Sequence, residues 1–255
     1  MMFKSLITLL FVAFSHNALA QTDLIFKSGM EFVNRLNDTG LTWAGEYPSG
    51  NNGDCTSTTI TSSQDCHTGR DVTHNDDIDG HAGFSFTKLN ASGVPLADQS
   101  VSYESIPWAC VRDNITGLVW EIKTTTTGIH HKDNTYKWGG LSALGRNHPD
   151  RLGAYYDDWN TLVQGSNDEA LCGFDNWRVA TVSELTSITN KGTSNPSIDS
   201  NYFPNTVSSE FWSSSPIAGG VFVDNAWIVY FDFSYDNINA RDNDYRVRLV
   251  HSTIQ

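Results

Sequence analysis

The sequence predicts an α+β fold with antiparallel sheets and two main helices, preceded by a β-rich, disulfide-containing N-terminal region. Three observations predict it. Trp227, Val229, Phe231 and Phe233 alternate with their neighbours across 226–233, and Val247 and Leu249 alternate with Arg246 and Arg248, the period-two pattern of antiparallel strands that bury one face. Leu152, Tyr155, Tyr156, Trp159, Leu162 and Val163 recur at helical spacing until Gly165 and Ser166, where the helix is expected to end. Thr181 followed by Glu184 is a capping box that starts a second helix near Val182.

The first twenty residues set an expectation of export. Lys4 supplies positive charge, Leu6 to Phe14 is an apolar run broken only by Thr8, and Ala18-Leu19-Ala20 is a small-x-small cleavage signal, so residues 1–20 read as a signal peptide cut after Ala20. The run is too short to span a bilayer and no later stretch approaches the necessary length. The expected product has no transmembrane segment and is secreted, periplasmic or held at the cell surface. A formal net charge of -13 disfavours nucleic acid or a heparin-like polymer as a partner, because polyanions are held chiefly by Lys and Arg.

Between 21 and 105 the chain reads as a β-rich region. A turn at Asn37-Asp38-Thr39-Gly40 leads into Leu41-Thr42-Trp43. Four cysteines in an exported chain imply two disulfides, of which four cysteines allow three pairings. We favour Cys55 with Cys66, worth about 3 kcal/mol by loop entropy, and Cys110 with Cys172, worth about 4 kcal/mol. Asn75, Asp77 and Asp79, followed by Gly80, fit the opening of a Ca²⁺ loop, with Asp71 or Asp76 as a further oxygen donor. Phe86 stands where a bidentate Glu closes an EF-hand, so a full EF-hand is excluded. An Asx-rich surface turn is the commoner use of such a cluster. Strands are expected at Ala82 to Leu89 and at Val101 to Tyr103, forming a hairpin, with a soft boundary near Ile106.

The stretch 106–255 holds a second turn-and-strand unit, Asp113-Asn114 to Glu121. The adjacent His130 and His131 point to opposite sides of an extended chain and read as solvent-facing loop residues rather than a zinc pair. Beyond the second helix, Glu210 to Ser214 reads as a strand, and 236–244 as a hairpin loop rich in carboxylates. Arg178, beside Trp177, is expected to tie loops together through a carboxylate or carbonyls.

Several strings in this half resemble the Lcl C-terminal domain, also called the DUF1566 family. They are Asp113-Asn114-x-Thr116-Gly117-Leu118-x-Trp120-Glu121, Asn134-Thr135-Tyr136-x-Trp138, Leu171-Cys172-Gly173, Asp175-x-Trp177-Arg178, Thr181-x-x-Glu184-Leu185, Tyr202-Phe203-Pro204-Asn205-Thr206, Phe211-Trp212-Ser213-Ser214 and Val247-Arg248-Leu249-Val250. Val179-Ala180 stands where the family has Leu-Pro, and His251-Ser252 where it often ends in Arg-Gly-Gly. The resemblance implies a C-type-lectin-like fold stapled by disulfides, a role in surface attachment or glycan binding, and no settled catalytic residues.

The leading expectation is therefore a non-enzymatic binding or adhesion module for a glycan or a cell-surface protein. Trp138, Tyr202 and Trp212 are candidates to stack on a sugar, and Asp236, Asp242 and Asp244 to accept from hydroxyls. Each Trp has core packing as its commoner use. The alternatives are an enzyme on a scaffold like that of the formylglycine-generating oxidases, which needs reactive thiols, and a structural envelope component joined through a sheet edge. No nucleophile elbow or His-Glu-x-x-His is present and no carboxylate pair stands out by spacing alone, while a Ser-His-Asp set, which assembles from distant positions, stays open.

Overall fold

The computed structural model describes residues 37–46, 50–51, 64–65, 69–74, 76–139, 159–217, 222 and 224–252. The expected signal peptide, the Cys55–Cys66 pair, Asn75 and the first part of the first helical stripe lie outside the described residues. The chain is mixed α+β. Strands β1 (Gly45–Glu46) and β2 (Gly50–Asn51) form a short antiparallel ladder. Strands β3 (Phe86–Leu89), β4 (Cys110–Asp113), β5 (Leu118–Glu121), β6 (Arg178–Val179) and the last strand, β11 (Leu249–Ser252), build an antiparallel sheet in the order β3-β4-β5-β11-β6. Strands β7 (Glu210–Pro216), β8 (Asn225–Tyr230), β9 (Tyr235–Ala240) and β10 (Arg246–Val247) build a second sheet in the order β10-β7-β8-β9. The helices are α1 (Asn160–Asp168) and α2 (Val182–Ser187). No described helix is long and apolar enough to cross a membrane.

Several local expectations need correction. Helix α1 continues through Gly165 and Ser166, because the buried Ser166 hydroxyl donates to the Leu162 carbonyl at 2.7 Å and a Cβ on Gly165 would come within 2.7 Å of Ile129. Val101 to Tyr103 is a loop, not a hairpin strand. The span expected as a carboxylate-rich loop holds β9, hydrogen-bonded to β8 from Tyr235 to Ala240. The alternating 245–250 stretch is divided between the two sheets, and β10 pairs with β7 in parallel.

The alternation differs from the one expected: in 226–233 Ala226 and Ile228 are fully buried, Trp227 is only partly buried and Phe233 is 63% exposed, while β5 and β7 bury residues on both faces. Leu118 and Trp120 enter one apolar cluster and Val119 the other; Phe211 enters the first and Trp212 the second. Phe84, Phe86 and Trp108 belong to the first cluster, and β3 joins the same sheet as β4 and β5. Arg248, expected to face solvent, is fully buried. Its guanidinium donates to the Glu121 carbonyl at 2.7 Å and the Thr206 hydroxyl at 2.8 Å.

Glu121 is the centre of a buried charge cluster with Lys123 and Arg248. Its carboxylate, itself fully buried, accepts from Lys123 Nζ and meets His130 Nδ1, both at 2.7 Å, and accepts from the Leu249 N–H at 2.9 Å. Burial alone would raise the Glu121 pKa, but Lys123 and His130 outweigh it and hold it at about 2. Burial lowers the pKa of Lys123, and that of Arg248 to about 10, each partly offset by Glu121.

Local motifs complete the frame. Asp113 accepts from the N–H groups of Ile115 and Thr116 at 2.9 and 3.2 Å and from the Asn37 amide, closing the turn before β5. Thr181 and Glu184 form the expected capping box. Arg178 grips Glu184 with two hydrogen bonds of 2.8 and 2.6 Å and reaches Ser252 at 3.1 Å, so it ties β6, α2 and β11 together as expected. The expected Cys110–Cys172 disulfide joins β4 to the turn after α1 across 62 positions.

Two measurements follow. Replacing Cys110 and Cys172 together by Ala should lower unfolding free energy by about 4 kcal/mol in denaturant titrations, from loop entropy alone. Glu121→Gln strands two buried cations and should cost about 3–5 kcal/mol. The depressed Glu121 pKa contributes stability that is present above the unfolded carboxyl value and lost as pH falls through about 2. Calorimetry from neutral pH to about pH 2 should therefore show a steeper loss in the native chain than in Glu121→Gln.

Candidate functional site

Lys88 lies on β3, an edge strand, and is nonetheless buried because the 95–103 segment folds back over it. The Gln99 side chain acts as a substitute strand: its Oε1 accepts from the Lys88 backbone N–H at 2.7 Å, and its Nε2 donates to the backbone carbonyls of Lys88 at 3.2 Å and Leu96 at 2.9 Å. An edge engaged in this way resists pairing with another chain. The Lys88 ammonium donates to the carbonyls of Gln99 at 2.9 Å and Val101 at 2.8 Å. It also lies 4.4 Å from the Trp108 ring centroid and 5.0 Å from that of Tyr202. Burial pushes its pKa down, opposed by Asp199 and Asp98.

Around this ammonium the chain builds a cleft of about 620 Å³. The Trp108 indole donates to the Tyr202 carbonyl at 2.9 Å, and Tyr103 stands edge-on to Trp108 with centroids 5.0 Å apart. The Tyr202 hydroxyl donates to the Ile78 carbonyl at 3.3 Å, and burial pushes its phenol up to about 12. Asp199, whose pKa burial raises, accepts from the N–H groups of Asn201 and His81 at 3.0 and 3.1 Å, which docks the 76–83 loop onto the cleft wall. Trp108 and Tyr202 are only 3% and 4% exposed, so the half-buried Tyr103 is the ring with surface left for a ligand. Asp77 and Glu104 stand exposed on the walls, and Lys88, the one cation among the described lining residues, is engaged with carbonyls and ring faces.

The structure places the expected site residues in different environments. Tyr202 and Asp77 line the cleft together. Trp212 is fully buried with its indole donating to the Tyr136 carbonyl at 2.8 Å, and Trp138, 2% exposed, donates to the Ser213 carbonyl at 2.7 Å and lies under Arg241. Neither indole offers a face to a sugar; both are packing residues. Asp236 lines a separate cavity of about 370 Å³ with Ser183 and Lys191, while Asp244 pairs with Lys137 at 3.2 Å and the Asp242 carbonyl accepts from the same ammonium at 2.9 Å. Asp77 contacts His81 at 2.8 Å, whereas Asp79 accepts from Ser85. Among the described residues, no three His, Cys, Asp or Glu side chains gather as a metal-holding group.

His130 departs most from its expected place on the surface. It is only 15% exposed and lies between Glu121 and Glu169. Sequence reasoning also passed over Tyr103 and Lys88 as site residues, since a lone Lys in Phe-Thr-Lys-Leu reads as the solvent face of a strand and the loop that covers it carries no periodic signal.

Trp212→Ala and Trp138→Ala should each cost about 3–5 kcal/mol in urea unfolding, as expected of large core residues. A change below about 1 kcal/mol would place them outside the core.

Residues 109–251, more than half of the chain, match the family model of the Lcl C-terminal domain. No curated protein and no solved structure matches it.

Proposed function

The chain belongs to the Lcl C-terminal domain family, and from that premise we propose that it is an exported binding module of C-type-lectin-like fold that holds a neutral saccharide in the cleft beside Tyr103. One observation carries the reading. A half-buried aromatic ring borders a cleft of about 620 Å³ whose only lining cation among the described residues is engaged elsewhere. A sugar presents an apolar face to such a ring and hydroxyls to Glu104 and Asn201, and it brings no charge that the acidic walls repel. The net charge of -13 supports the same choice over a sulfated polymer.

The rival readings lose specific support. Cys110 and Cys172 are bonded to each other and supply no thiol for oxidase chemistry. Strand β9 is one edge of its sheet, but the backbone N–H groups of Ile238 and Ala240 donate to the Asn237 and Asn239 side chains at 2.8 Å each. That edge is blunted against strand addition.

Glycan-array binding of the secreted chain, with and without Ca²⁺, tests the proposal. Neutral oligosaccharides should bind, and Tyr103→Ala should weaken them about tenfold while shifting unfolding free energy far less than a core Trp replacement. Exclusive binding of sulfated polymers, or undiminished binding by Tyr103→Ala, would remove the cleft from consideration.

A further inference from the structure

His130 meets two carboxylates at once. Its Nδ1 lies 2.7 Å from Glu121 Oε1 and its Nε2 lies 2.5 Å from Glu169 Oε1. Ionised carboxylates only accept hydrogen bonds, so both contacts are hydrogen bonds only when both ring nitrogens carry a proton and the ring is an imidazolium. The two acids differ in setting. Glu121 is fully buried at the end of β5, whereas Glu169, the residue that caps the C-terminal end of α1, has a side chain 47% exposed. The ring is thus a polar link between the buried charge network and the end of a helix.

We propose that His130 is a proton-dependent clasp, which holds the C-terminal end of α1 to the buried Glu121 and releases that end when the ring gives up one proton. A neutral imidazole keeps a single N–H. The low-dielectric Glu121 site retains it, because an unmet buried carboxylate costs more than an exposed one. Nε2 then presents a lone pair to the Glu169 carboxylate, and an attraction becomes a repulsion. Ile129 and Tyr136 of the His130 loop and Thr161 and Leu162 of the first turn of α1 line a cavity of about 310 Å³, so the loop that carries the clasp also packs near the other end of the same helix.

The surrounding charges set the direction of the switch. Glu121 and Lys123 face the ring from β5 and the residues just after it, Glu169 faces it from α1, and Arg248 approaches Glu121 from between β10 and β11. Tyr136, in the same loop, has its phenol pushed up to about 12 by burial and by Glu121, and stays neutral. Burial and Lys123 disfavour the imidazolium, Glu121 and Glu169 favour it, and the balance raises the His130 pKa above its ordinary value. The clasp is therefore fully closed below the unfolded histidine pKa and is lost as pH rises through the folded one.

Hydrogen exchange of the full chain, corrected for intrinsic rates and followed from about pH 5 to about pH 9, reads the clasp directly at residues 163–170. In the native chain, opening of this helix end should increase up to about fivefold through the His130 titration, the scale of one partly exposed ion pair. Glu169→Ala, a surface change that leaves Glu121 paired, should open the end to the same degree already at low pH and abolish the step, while the exchange of β5 and β11 stays unchanged. His130→Gln, which does not titrate, should also abolish the step; if it fails to fold, Glu169→Ala decides alone. A native chain with no step, or a step that persists in Glu169→Ala, overturns the proposal.

Discussion

A fully buried carboxylate is the constraint on which the rest of the structure depends. Glu121 ends β5 and must be met by donors from several directions, and it is met by Lys123, His130 and the Leu249 N–H, while its own carbonyl receives Arg248. The partners come from the residue two places on, from the 128–136 loop and from the adjacent Arg248 and Leu249, so satisfying one carboxylate sets the position of β11, of that loop and, through His130, of α1. Such a network is strongly destabilising if one member is removed, because the remainder is left charged and dry. It therefore favours a single arrangement of the segments over near alternatives.

The strings that carry the family resemblance mostly serve this frame. Asp113 and Thr116 close a turn, Trp120 fills the first apolar cluster, Trp177 and Trp212 fill the second, and Arg178 with Glu184 ties the start of α2 to β11. The candidate binding cleft lies largely outside them. Tyr103 and Lys88 precede the matched residues 109–251, and Tyr202 lies within them. Family membership thus explains the scaffold, and the segment N-terminal to it supplies most of the cleft wall that is free to differ.

What the sequence made legible divides by the range of the interaction. The capping box could be read because Thr181 and Glu184 are three residues apart, and the Arg178 reading held because a half-buried guanidinium requires a carboxylate wherever one is found. Arg248 was read as exposed, since period-two alternation cannot distinguish a strand with one buried face from a strand buried on both. His130 was placed in solvent because its partners, Glu121 and Glu169, arrive from 9 positions before and 39 positions after it. The same reason hid Lys88: only the fold brings Gln99, Trp108 and Tyr202 around it.

Under the proposed function a ligand meets the cleft beside Tyr103, and the matched core serves as scaffold. Backbone chemical-shift mapping during titration with a neutral oligosaccharide separates the two most directly. Saturable shifts are expected, confined to the amides of 77–78, 99–104 and 200–203, with β5, β7 and β11 unmoved. Shifts centred on the Trp138–Trp212 region or on the 236–244 segment, or no saturable shift with any neutral sugar, would contradict it.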